Sequence, residues 1–171
     1  MTQPNREVEQ SQLDKAIEVL TLAALGAYIA YVVLSYGKLP EQVPSHFGPT
    51  GEPDAWEHKS SFFVLPAIAL IMYILLTLLN KYPHLFNYPV KITSENAAFH
   101  YEKARALITQ IKAVIVLMFF YISWRTIGIV DGKVSGLGHW FILILLLMIF
   151  LPIVFYFVQI AKAKKEDKKT P

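Results

Sequence analysis

Leu39-Pro40-Glu41-Gln42-Val43-Pro44-Ser45-His46-Phe47-Gly48-Pro49-Thr50-Gly51-Glu52-Pro53-Asp54-Ala55-Trp56 stands between two long apolar segments, and that placement decides the fold. Its four prolines and two glycines exclude a continuous helix. The segments on either side are each long and apolar enough to cross a bilayer. A stretch between two such segments, rich in His, Asp, Glu and Trp, is displayed at one face of a membrane.

Working outward, apolar runs predict four spans, at about residues 16–36, 62–80, 106–130 and 139–161. At 1.5 Å per residue, roughly 20 residues cross a hydrocarbon core about 30 Å thick. Composition agrees: 54% of the 171 residues are hydrophobic and 17% charged, against roughly 45–50% and 25% in soluble domains. The expected fold class is all-α, an integral membrane four-helix bundle forming a single domain, 1–171. It comprises the spans, an outer loop 37–61, a cytoplasmic connection 81–105 and a basic tail 162–171. Ser60 and Ser61 offer an N-cap for span two. Pro66 and Pro152 fall inside spans two and four as kinks that neighbouring helices can repair. The leader carries Glu7, Glu9 and Asp14 and has no clean A-x-A site, so span one reads as a retained signal anchor.

Basic residues set the orientation. Lys81, Lys91, Lys103, Arg105 and Lys112 crowd the second connection and the helix start beside it. Lys162, Lys164, Lys165, Lys168 and Lys169 crowd the tail, whereas the first loop holds only Lys38 and Lys59. The positive-inside rule then puts both termini in the cytoplasm. Trp56, Trp124 and Trp140 fall near the opposite, outer interface, as an aromatic belt requires. Pro83 and Pro89 break the chain after span two. Thr93 or Ser94 can cap a new helix running from about 94 to 130.

The chemistry-bearing residues are sparse. Glu18 stands at the start of span one. Lys112 and Arg125 bracket the apolar part of span three and are expected to snorkel to opposite interfaces. Without a charge deep in the membrane, ion-coupled transport is disfavoured. Ala23 with Ala27, and Gly26 with Ala30, allow close helix approach. Packing within the molecule is the expected use and a dimer contact the alternative. Tyr28 and Tyr31 read as packing residues with a polar handle.

His46, Asp54, Glu57 and His58 have ligand chemistry, but their spacing matches no zinc motif, so no metal and no cofactor are expected. There is no nucleophile elbow, phosphate loop or triad signature, so no catalytic residue is expected. Gly136-Leu137-Gly138 reads as a flexible turn entering span four, and His84, His100 and His139 as interfacial residues with solvated or belt-like roles. The charge balance of +3 reflects membrane orientation and does not argue for nucleic acid. The lysine tail is expected to meet anionic lipid.

Leu39-Pro40, Val43-Pro44, His46-Phe47, Gly51, Pro53-Asp54 and Trp56, followed by Leu65-Pro66, resemble the signature of a bacterial membrane family of unknown function. The same module forms the N-terminal part of SdpI-type immunity proteins, which protect a producer from a secreted toxic peptide and relay its presence to a repressor. Asn87-Tyr88-Pro89-Val90-Lys91-Ile92-Thr93 is similar to the cytoplasmic connection of stand-alone members. SdpI-type proteins carry a second membrane domain that has no equivalent in this sequence.

The resemblance implies a non-enzymatic recognition or regulatory protein of the bacterial plasma membrane, sensing or resisting an envelope-active agent. Pro40, Pro44, His46, Phe47, Gly51, Pro53, Asp54 and Trp56 are the candidate recognition or structural motif. The partners implied are the lipid bilayer and a protein or peptide at the outer loop. His46 is expected to hydrogen-bond a carboxylate or backbone group, Asp54 first. The alternative is a small-molecule carrier or a subunit of a membrane enzyme or transport complex.

Overall fold

The computed structural model describes residues 3–6 and 8–167. Glu7 of the leader and Lys168 and Lys169 of the tail therefore lie outside the described residues. The order of elements is α1 (Gln12–Tyr36), β1 (Gln42–Phe47), β2 (Pro53–His58), a 3-10 turn (Lys59–Phe63), α2 (Val64–Leu79), a second 3-10 turn (Pro83–Leu85), α3 (Ala97–Val130) and α4 (Phe141–Asp167). Among the described residues, four helices are long and apolar enough to cross a membrane: Gln12–Tyr36, Lys59–Leu79 with its leading 3-10 turn, Ala97–Val130 and Phe141–Lys164.

The all-α expectation needs one correction, because the stretch after α1 folds into an antiparallel hairpin. Val43 pairs with Glu57 and Pro44 with Trp56. The register then shifts, so that His46 faces Ala55 and Phe47 faces Pro53. Ser45 is the extra residue on β1 and Asp54 the extra residue on β2. Two opposed bulges bend the ribbon and restore its register. They also let proline-rich strands pair at all, since proline cannot donate to a ladder.

Local chemistry fixes the helix ends. Ser11 caps α1, accepting from the Asp14 amide at 3.1 Å and donating its hydroxyl to the Asp14 carboxylate at 2.6 Å. Neither Ser60 nor Ser61 caps span two. The His58 imidazole instead accepts from the Ser60 amide and opens the 3-10 turn. Pro66 sits in the first turn of α2, where its missing amide costs no helical bond, so it makes no mid-helix kink. Helix α3 begins at Ala97, past both Thr93 and Ser94. Asn96 occupies its N-cap position, and its side chain accepts from the Thr93 amide at 2.8 Å, closing the preceding turn.

Helix α3 is the hub and packs against α1, α2 and α4. The buried face of α1 is Thr21, Leu25, Tyr28 and Val32, a stripe at helical spacing. Leu25, Tyr28 and Val32 join Leu39, Val43, Phe62, Ala69 and Val116 in one apolar core. Tyr28 stacks on Phe120 at 5.4 Å. Ala23, Gly26, Ala27 and Ala30 face outward instead, contrary to the packing use expected of them, because the bulky stripe already supplies the contact with α3.

Candidate functional site

The hairpin is tied down at both ends. At its base the Glu41 carboxylate accepts from Lys59 Nζ at 2.8 Å and lies 3.1 Å from His58 Nε2, while the Lys59 amide donates to the Glu41 carbonyl at 2.8 Å. Lys59 and His58 together hold the Glu41 carboxyl below its ordinary pKa, with the Lys59 hydrogen bond the larger cause. At its tip the chain turns through Gly48–Gly51, and Gly51 has φ +82°. The Gly51 carbonyl accepts from the Leu137 amide at 2.7 Å.

This second contact corrects the reading of Gly136-Leu137-Gly138 as a flexible turn. A Cβ on Gly136 would stand 2.3 Å from the Gly51 carbonyl oxygen, so only glycine permits the approach. Leu137 is buried. Arg125 donates from Nε to the Gly136 carbonyl at 2.8 Å and also from Nη2. The Tyr121 hydroxyl donates to the Leu137 carbonyl at 2.6 Å. The loop between α3 and α4 is therefore a rigid seat for the hairpin tip.

Beneath the hairpin lies a cleft of about 360 Å³. Its roof runs from Pro44 to Gly48 and includes Gly51 and Glu57. Its walls are Phe62 of the 3-10 turn with Val64 and Leu65 at the start of α2, and Leu137 of the α3–α4 loop with Phe141 and Ile142 at the start of α4. Its floor is Ile122, Ser123 and Thr126 of α3. Ser123 is buried and shares a 2.7 Å hydrogen bond with the Tyr28 hydroxyl. The site is mostly apolar with a few placed polar groups, the ordinary make-up of a small-molecule or peptide-side-chain pocket.

The sequence-selected residues distribute unevenly around it. Pro44 is buried in β1, and Phe47 is half-buried at the cleft. Gly51 makes the tip contact, and Pro53 opens β2. Pro40 and Trp56 are exposed. His46 Nδ1 lies 2.5 Å from Asp54 Oδ1, and the two side chains are 71% and 51% exposed. A contact so exposed adds little stability, and its geometry orients the imidazole at the cleft rim. His58 pairs with Glu41 and Ser60 instead, so the four candidate ligand residues do not converge. Among the described residues no three His, Asp or Glu side chains come together to hold a metal ion.

Sequence reasoning missed a second polar feature, farther along the helices. Lys112 does not snorkel: its side chain is 1% exposed, and its ammonium donates to Glu18 at 2.5 Å and to Thr77 at 2.8 Å. Tyr73 donates to the same Glu18 oxygen at 2.9 Å, and its ring lies 4.6 Å from the ammonium. One turn away Asn80 donates to Thr109 at 3.0 Å. The signal was a lysine and a glutamate inside apolar runs, each read separately as interfacial. His100 is likewise buried, not solvated as expected, and packs against Phe99 and Tyr88.

Residues 23–70, from the middle of α1 through the hairpin into α2, match a family described as a domain of unknown function, DUF1648. Over 162 residues the chain is 29% identical to an uncharacterised protein of Archaeoglobus fulgidus, covering 86% of this chain and 87% of that one. No solved structure matches. The hairpin, with its part of the cleft, and the adjoining parts of α1 and α2 thus fall within the region similar to a domain of unknown function, in a chain with four helices, among the described residues, long and apolar enough to span a membrane.

Proposed function

We propose that the chain is a non-enzymatic recognition or regulatory protein of the plasma membrane, with both termini cytoplasmic and the hairpin outside. Its site is the cleft under the hairpin, and its ligand is an envelope-active agent, as the resemblance to SdpI-type immunity proteins implies. One observation carries the reading: a proline-rich hairpin, seated by Gly51 on the α3–α4 loop, roofs an apolar cleft at one end of the helices. The basic bias of the second connection and tail supports an orientation with that end outside.

The test is survival of a sensitive host challenged with amphipathic toxic peptides, with and without the protein. Parent protein should protect against, or respond to, at least one peptide. Ser123→Phe, which fills the cleft floor, should abolish the response while the protein still folds. Equal responses from parent and a folded Ser123→Phe variant would refute the cleft as the site.

The alternative, a small-molecule carrier or transport subunit, draws support from the Glu18–Lys112 pair. Ionisable pairs inside membrane spans commonly mark transport paths. Substrate flux lost in both Glu18→Gln and Lys112→Met, with no effect of Ser123→Phe, would favour it.

A further inference from the structure

A second cleft, of about 670 Å³, opens at the end of the molecule opposite the hairpin. Three segments meet there. The arm before α1 supplies Arg6 and Glu9, the turn after α2 supplies Lys81 and His84, and α3 supplies Arg105. The arm is strapped in place. Gln3 donates to the Phe86 carbonyl at 2.9 Å, and Arg6 to the Ser94 carbonyl at 3.1 Å. Tyr101 donates to the Pro4 carbonyl at 2.8 Å, and Arg105 Nη1 to the Val8 carbonyl. These bonds make the cleft a fixed feature and not a chance gathering of surface lysines.

Among the described residues its charge is one-sided: Arg6, Lys81 and Arg105 line it with one carboxylate, Glu9. Arg105 Nε is buried with no hydrogen-bond partner among the described residues. The last carbonyls of α2 do not compensate, since Leu76, Leu78 and Leu79 accept from the amides of Asn80, Lys81 and Tyr82. Depth identifies the ligand. Lys81 follows the apolar helix Lys59–Leu79 after a single intervening residue, and the neighbouring Tyr82 and Leu85 are exposed. In a bilayer this places the cleft at the level of the phosphates, with Tyr82 and Leu85 against the acyl boundary. Guanidinium and ammonium groups converging at that depth match a phosphate ester.

We propose that this cleft binds the headgroup phosphate of an anionic membrane phospholipid. The experiment uses full-length protein in detergent, with phosphatidylglycerol and phosphatidylcholine competing for retention in native mass spectrometry. Parent protein should retain phosphatidylglycerol several-fold over phosphatidylcholine. Arg6→Ala/Lys81→Ala should erase most of that preference. Lys38→Ala/Lys133→Ala, which removes the same charge from two exposed lysines at the hairpin end, should leave it intact. If the first double variant misfolds, Lys81→Gln alone should still reduce the preference at least twofold. Equal retention of the two lipids by the parent would overturn the proposal, as would equal losses in the two double variants or an unchanged preference in Lys81→Gln. Displacement of the lipid by millimolar inorganic phosphate would reassign the cleft to a free anion.

Discussion

Lys112 shows how one residue can change meaning between sequence and structure. A lysine within an apolar helix has two exits: its stem can reach an interface, or its ammonium can find acceptors inside. The second wins because Glu18 and Thr77, from two other helices, both come within hydrogen-bond reach. Which residues of α1 and α2 face α3 is a tertiary fact, and no period in the lysine's own helix reports it. Removing one partner leaves the other charge stranded. Lys112→Met should therefore destabilise the protein by roughly 3 kcal/mol, the low end for a broken buried pair, since the Glu18 side chain keeps 23% exposure. Glu18→Gln/Lys112→Met should recover most of that loss. Reversible unfolding in mixed micelles measures both, and additive losses would mean that the two side chains do not stabilise each other.

At the scale of elements, the hairpin and its seat carry the sharpest steric prediction. Gly136→Ala sets a methyl against the Gly51 carbonyl and should lift the tip. The expected cost is about 1–3 kcal/mol, typical of overpacking, with faster hydrogen exchange around Gly51. Gly26→Ala meets nothing within 4 Å in α1 and should be neutral or stabilising by up to about 1 kcal/mol. Equal effects of the two changes would remove the tip contact as a structural determinant.

The hairpin base should respond to acid. Because Glu41 has its pKa lowered in the fold, its contribution is present above the ordinary carboxylate range and is lost as pH falls through the folded value. Protection of the Lys59 amide, corrected for intrinsic exchange, should decline over that window in the parent. In Glu41→Gln it should be flat. The break in helix was readable from the prolines and glycines of this stretch, but the strands were not. Prolines argue against a ladder, and two compensating bulges have no signature in a single sequence.

For the whole molecule, the four apolar segments were legible because length and hydropathy alone define them. Their neighbour relations were not, and the small-residue face of α1 misled because lipid-facing and partner-facing small residues look alike. Orientation is checked by single cysteines at Thr50, Asn87 and Thr170. An impermeant thiol reagent on intact cells should label Thr50→Cys only, and labelling of Asn87→Cys would reverse the topology.

The two attachments of the hairpin differ in kind. Its base is held by a side-chain cluster and a backbone bond next to α2, whereas its tip is joined to the α3–α4 loop, among the described residues, by one backbone bond, from Leu137 to Gly51. A strip fastened this way behaves as a hinge at one margin and a latch at the other. Releasing the latch forfeits one amide–carbonyl bond, worth about 0.5–1.5 kcal/mol net. A guest too large for the resting cleft could recover that cost from a few buried methylenes, at about 0.8 kcal/mol each. The widest guest accepted would then be set by how far the tip swings about Glu41 and Lys59, and not by the resting volume of the cleft.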